Sequence, residues 1–226
     1  MHIKGQNVNL VEFSFSHYLL ARALESVKLT EKDVKVVNTS DSDMAAAYKT
    51  PEVTTVVTWN PIVSEIMGSP DAKKVFDSSQ IPGEIMDLMV VNTAVLRDNP
   101  NFGKALAGIW YETISKMLAD NADDKAAKEA MAKASGTDLA GFDSQLAATR
   151  LFAKPAEAAE FAQSKDIATT MDRVRKFLFD KALLGKDAKN ADAIGVELAD
   201  KTVLGDAKNV KLRFEPSFIL ETAVRA

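Results

Sequence analysis

The chain of 226 residues contains no cysteine. Disulfide frameworks, thiolate metal sites, cysteine nucleophiles and lipoprotein-type acylation are therefore excluded. No apolar run reaches the length needed to span a bilayer. Met1-His2-Ile3-Lys4-Gly5 carries no apolar stretch of the signal-peptide kind, so the expectation is a cytosolic chain or one whose export signal has been removed. Lysines and arginines are dispersed and the formal charge is -4. With no basic block, neither nucleic acid nor an anionic membrane is an expected partner. The HExxH, EF-hand, Walker and GxGxxG patterns are all missing, so no metal or nucleotide cofactor is expected.

What is present has a globular balance: 46% hydrophobic and 27% charged residues, enough for a sizeable core. The first ninety residues alternate between strand and helix signals. Asn7 to Phe13 reads as a strand leading to the turn Ser14-Phe15-Ser16. Leu19, Leu20, Ala23, Leu24 and Val27 then form an apolar stripe at helical spacing. Val34 to Val37 is a second strand, followed by Ser40 as the N-cap of a second helix with Asp43 as capping-box analogue. The β-branched run Val53 to Trp59 predicts a third strand, and Pro61 opens a further helix. Lys74 to Asp77 and Ile85 to Val91 read as two more strands. Such alternation implies an α/β unit with a largely parallel sheet.

After Asn92 the pattern is mostly helical. Asn99-Pro100 starts a long helix with a core stripe of Phe102, Leu106, Ile109, Thr113 and Met117. Further helices are expected over 124–134, 139–148, after Pro155, and from Ser164 to Gly185, the last with Ile167, Met171, Val174 and Leu178 on one face. Met171 and Phe177 read as core, and the charge-rich Asp120 to Lys128 as a solvated helix start. The tail from Val203 to Phe218 is mixed, with a turn at Gly205-Asp206. No strand set is expected to serve as a sheet for these helices.

Several residues are candidates for chemistry. A serine-rich strand-to-helix turn at Ser14, Ser16 and His17 offers free N–H groups and the positive end of a helix, suited to an anion or polar oxygen; the alternative is a plain N-cap. A Ser–His nucleophilic pair lacks a third residue to orient the histidine. Trp59 and Asn60 end a strand, where open α/β sheets bind ligands; the alternative is a core tryptophan. Glu12 and Asp87 are carboxylates in apolar strand contexts and could grip a guanidinium; the alternatives are a solvated strand end and an internal salt bridge.

Residues Lys4 to Val8 with Ser14-Phe15-Ser16-His17-Tyr18-Leu19-Leu20 resemble the "KGKKV" strand and "GS-x-SHY-L" turn of extracytoplasmic solute-binding proteins of ABC importers, in the nitrate, sulfonate and taurine group. Val56 to Pro61 is similar to that family's "V-x-W-D/N-P" segment, with Asn60 where relatives often carry Asp. Leu88 to Asn92 followed by Leu96 to Pro100 resembles its return strand and "NP" helix start. Glu12 in place of the more usual glycine, Val37 to Asp41 and Lys211 to Phe214 resemble the branch linked to urea carboxylase gene clusters, associated with urea-like or guanidine-like solutes.

The resemblance implies a type II periplasmic-binding-protein fold of two α/β lobes. Residues 1–91 would form lobe two and 92–226 the helical remainder of lobe one, whose N-terminal half would be absent. The hinge would lie near His2-Ile3 and Val91-Asn92. It further implies a periplasmic, non-enzymatic protein that captures a small polar solute in an interlobe cleft for an ABC permease. Glu12, Ser14, Ser16, His17, Trp59, Asn60 and Asp87 would contact the solute. Self-association through the incomplete lobe is also expected. Two other users of the fold fit less well: thiamin-pyrimidine synthases depend on a cysteine-rich motif, and LysR-type regulators on an N-terminal helix-turn-helix. An isolated lobe without ligand function remains the structural alternative.

Overall fold

A computed structural model of the chain describes residues 3–119 and 121–223, and the side chains of all of these but Asp123 and Ala223; His2 and Asp120 lie outside. The chain divides into two compact units, residues 1–85 and 86–226.

In the first unit, strand β1 (Asn7–Leu10) is followed by helix α1 (Phe15–Ser26) and strand β2 (Lys35–Asn38). Helices α2 (Asp41–Tyr48) and α3 (Ile62–Met67) come next. β1 and β2 are parallel, with Val8 opposite Val36 and Leu10 opposite Asn38. The β-branched run at 53–59 joins the far side of β1 through a single parallel bridge between Asn9 and Val56. The amides of Asn9 and Val57 bond to the carbonyls of Thr55 and Asn9 there. The expected third strand is thus one bridge long. Lys74 to Asp77 and Ile85 to Val91 form no ladder among the described residues.

The core of this unit is where the helical and strand periodicities meet. Val8 and Leu10 from β1 pack with Leu20 and Leu24 from α1 and with Val34. Val27, counted in the stripe from sequence, is exposed because α1 ends at Ser26. A second attachment is polar. Arg22 makes a bidentate pair with Glu84, Nε to Oε2 at 2.6 Å and an outer nitrogen to Oε1 at 3.0 Å. The Tyr18 hydroxyl donates to the same carboxylate at 2.7 Å. The hydrogen bond and charge of Glu84 raise the Arg22 pKa well above its ordinary value, against the opposing effect of burial. Glu84 thereby fastens the closing segment of the unit to α1.

The second unit runs through α4 (Thr93–Asp98), α5 (Pro100–Leu118), α6 (Ala122–Ala134), α7 (Leu139–Ala147), α8 (Pro155–Ala162) and α9 (Lys165–Asp180). Strands β3 (Gly195–Glu197), β4 (Val203–Gly205) and β5 (Val210–Arg213) and helix α10 (Ser217–Ala223) complete it. The strands form a sheet in the order β4-β3-β5, antiparallel then parallel. This sheet corrects the expectation of helices without one. Its strands are three or four residues long, too short for an alternation signal to emerge. Gly195 is required by close approach: a Cβ there would lie 2.3 Å from the Asp206 carbonyl oxygen.

Ile167 and Met171 of α9 pack on Val196 and Phe214, as the spacing predicts. Phe177 is half-buried. Asp124, expected in a solvated helix start, is instead buried, with its Oδ2 lacking a hydrogen-bond partner.

The stripe read on α5 is corrected in part: Leu106, Thr113 and Met117 are half-buried, but Phe102 and Ile109 are not. Its buried residues are Gly103, Ala107 and Ile114, while Phe102, Ile109 and Trp110 are exposed. The cause is steric. A Cβ at Gly103 would lie 2.8 Å from the Phe218 ring, so the small-residue face admits α10 closely and the large apolar face is left outside.

Arg175 joins α9 to the turn before β3. It donates to Asp172 at 2.8 Å, to Asp192 at 2.9 Å and to the Ala191 carbonyl at 3.1 Å. The Asp172 carboxyl is held below its ordinary range by Lys176 and Arg175. A lowered carboxylate pKa adds stability above the unfolded-state value, which is lost as pH falls through the folded-state one. Arg175→Ala is expected to destabilise this unit by about 2 kcal/mol, since it empties a buried site and removes the bonds to Asp192 and the Ala191 carbonyl, while Lys176 still pairs Asp172. A chemical denaturation midpoint unchanged from wild type would contradict that.

Candidate functional site

Three chain segments emerge at the carboxyl edge of the first sheet: Val11 to Ser14 after β1, Thr39 and Ser40 after β2, and Thr58 to Asn60 after the bridge. Side chains tie the first two together. Asn9 Nδ2 donates to Thr39 Oγ1 at 2.9 Å, and the Glu12 amide donates to Asn38 Oδ1 at 3.0 Å. The Thr39 amide bonds to the Leu10 carbonyl at 2.9 Å.

The turn into α1 is tightly determined. Ser14 is the N-cap; its hydroxyl donates to the Val11 carbonyl at 2.7 Å and accepts from the Ser16 amide at 3.1 Å. The plain N-cap role of Ser14 is therefore real, and it does not exclude a further one. His17 is only 3% exposed. Its Nδ1 accepts the Phe13 amide at 3.1 Å, which fixes the neutral tautomer with hydrogen on Nε2. That Nε2–H then points at Glu31 Oε2, 3.1 Å away. Ser16 is buried as well.

Phe13 has φ of +64°. The residue in this turn that uses glycine-like freedom is thus Phe13, whereas the sequence comparison assigned the departure from glycine to Glu12. Phe13 and Phe15 are both exposed, and the Phe15 ring meets Trp59 edge-on at 5.7 Å and 83°. Trp59 is therefore not a core residue. The Phe15 amide, first in α1, has no hydrogen-bond partner among the described residues. It carries the positive end of a helix of 12 residues. The Glu12 carboxylate belongs to the same turn and is half-buried. Asn60 turns its side-chain oxygen to Ser64 Oγ at 2.9 Å.

Of the seven residues singled out from sequence, Glu12, Ser14, Ser16 and His17 share the turn, and Trp59 reaches it through Phe15. Asn60 follows on the same segment. Asp87 is exposed and belongs to the second unit. Sequence reasoning missed Phe13, Phe15 and Asn38. The alternation Phe13-Ser14-Phe15-Ser16 was a signal for the first two; nothing local marks Asn38. It also missed two buried oxygens without hydrogen-bond partners, Asp41 Oδ1 after β2 and Thr58 Oγ1 after the bridge. A shallow depression in the second unit, lined by Glu160, Gln163, Ser164 and Lys165 among others, contains none of these residues. No cluster of metal-ligating side chains occurs among the described residues, and no helix there is long and apolar enough to cross a membrane.

No protein-family model and no curated protein sequence matches the chain. Solved structures do. The alkanesulfonate-binding protein SsuA from Xanthomonas axonopodis pv. citri bound to MOPS is similar with a TM-score of 0.60 and 17% identity, over 84% of this chain and 63% of that one. The periplasmic aliphatic sulphonate binding protein SsuA from Escherichia coli is similar with a TM-score of 0.61 and 18% identity, over 82% of this chain and 60% of that one. The chain spans less than two thirds of the length of either. The mixed α/β fold thus matches type II periplasmic-binding-protein structures over most of the chain.

The tautomer is checkable by imidazole nitrogen shifts in NMR. His17 should show hydrogen on Nε2, and His17→Ala should destabilise the first unit by about 2 kcal/mol through the orphaned Phe13 amide and the cavity left. A proton on Nδ1 would sink this reading of the turn.

Proposed function

We propose that this chain is the solute-binding component of an ABC importer, periplasmic in its working location, and that its solute is a small oxyanion carrying an apolar group, of the organosulfonate kind. The observation that carries the reading is the Phe15 amide at the start of α1, unpartnered among the described residues, on the residue whose exposed ring meets that of Trp59. A helix N-terminus favours negative charge, and aromatic faces favour an apolar tail. Similarity in fold to two sulfonate-binding proteins supports the same class. The mechanism is equilibrium capture, followed by delivery to a membrane permease, with no bond made or broken.

Glu12 favours a second reading. A carboxylate beside the turn repels an anion and attracts a cation or a strong donor, as a urea-like or guanidine-like solute would require. Ser14, Ser16, Trp59 and Asn60 remain proposed contacts in either case, and His17 acts through the turn that it holds. The two readings give opposite signs for one substitution. Glu12→Gln should tighten alkanesulfonate binding by about threefold, through loss of a like charge. If guanidinium or urea is the solute, the same change should weaken binding by more than about tenfold. Calorimetric titration with propanesulfonate, taurine, nitrate, urea and guanidinium measures both. No binding heat from any of them would contradict the solute-binding reading itself.

A further inference from the structure

The Phe13 amide finds its acceptor in a titratable ring. His17 Nδ1 takes the amide hydrogen at 3.1 Å, and in the neutral ring that nitrogen holds the lone pair. A second proton can therefore enter only at Nδ1. There it displaces the Phe13 amide, since two donors would face each other. Imidazole is the side chain whose charge ordinarily changes between about pH 5 and pH 8. The lost bond bears on the whole turn. Phe13 sits at φ of +64°, a conformation that a bulky residue keeps only when tied. The chain passes directly from it to the Ser14 cap and the Phe15 amide.

The surroundings admit the proton. The ring is 3% exposed, and an isolated cation there would be costly. Glu31 Oε2 stands 3.1 Å from Nε2, so the protonated ring gains an ion pair. Glu12, half-buried in the same turn, is a second carboxylate that favours the cation. On α1, Arg22 is held by Glu84 and Glu25. Next to Glu31, Asp33 is taken by Thr30 and Lys4, and Lys32 is exposed. Strand β1 has no titratable side chain, and Lys35 of β2 is exposed.

We propose that His17 makes solute capture proton-sensitive: protonation at Nδ1 releases the Phe13 amide, loosens the turn into α1 and lets the solute go as pH falls. One proton is gained on a ring nitrogen and one main-chain hydrogen bond is lost. The effect on the solute rests on its lying at this turn, as proposed above, whereas the switch is a property of the free protein.

Two measurements on the full chain separate the two. In NMR of the free protein from about pH 8 to about pH 5, the His17 ring nitrogens should titrate. The Phe13 amide proton should move upfield with the same midpoint as its bond is lost. In calorimetric titration with propanesulfonate, which stays ionised throughout, affinity should fall by about fivefold or more over that range, the equivalent of one hydrogen bond. His17→Asn offers an acceptor that does not titrate, with Oδ1 close to the place of Nδ1. It should cut that pH ratio to below about twofold. A His17 ring that stays neutral down to about pH 5, or a Phe13 amide that does not follow its titration, overturns the switch. Equal propanesulfonate affinity at both ends of the range, or the same pH ratio in His17→Asn, overturns its link to the solute. No binding at either end contradicts the solute-binding reading instead, and the NMR titration then decides the switch by itself.

Discussion

The imidazole of His17 accepts the Phe13 amide and so holds a bulky residue at positive φ, and the placement of the other groups at the sheet edge follows from that turn. A non-glycine residue in the left-handed region costs about 1–2 kcal/mol. One buried hydrogen bond contributes about 1 kcal/mol and a serine N-cap about another. The two together offset the strain, and neither alone is secure against it. With Nδ1 taken up by the Phe13 amide and Nε2 beside Glu31, His17 positions the chain at this turn. The groups left free to meet a ligand are the Phe15 amide, the Glu12 carboxylate and the aromatic rings.

The second unit is governed by a different constraint. Helix α5 carries apolar residues on two faces, and the interior takes the one with the smaller side chains. Gly103 and Ala107 let Phe218 approach closely, so Phe102, Ile109 and Trp110 are left on the surface. The segment at 86–91 presents the same excess of apolar surface in extended form. Both features place more apolar surface outside the second unit than its own elements cover.

Much of this was legible in the sequence, and the misses have physical causes. The helices came through because their signals are local: Pro100 and Pro155 at first turns, Gly136 and Gly185 at positive φ beyond the ends, and apolar residues three and four apart along α9. β1, β2 and the Ser14 cap were equally plain. The strands β3 to β5 were too short to alternate, and Ile85 to Val91 has strand composition but no ladder among the described residues. A helical stripe fixes which residues share a face but not which face a neighbour chooses, hence the shifted buried face of α5. At the site, the turn and Trp59 were visible as motifs. The role of Asn38 was not, because it depends on β2 lying beside β1, a contact 26 residues apart in the chain.

The central claim is that the start of α1, with Trp59 beside it, receives the solute. Amide and indole chemical-shift mapping of the labelled protein during titration with propanesulfonate tests it most directly. The account predicts saturable shifts largest at the Phe15 and Ser16 amides and the Trp59 indole. Saturable shifts confined to residues 86–226, or none at all, would contradict it.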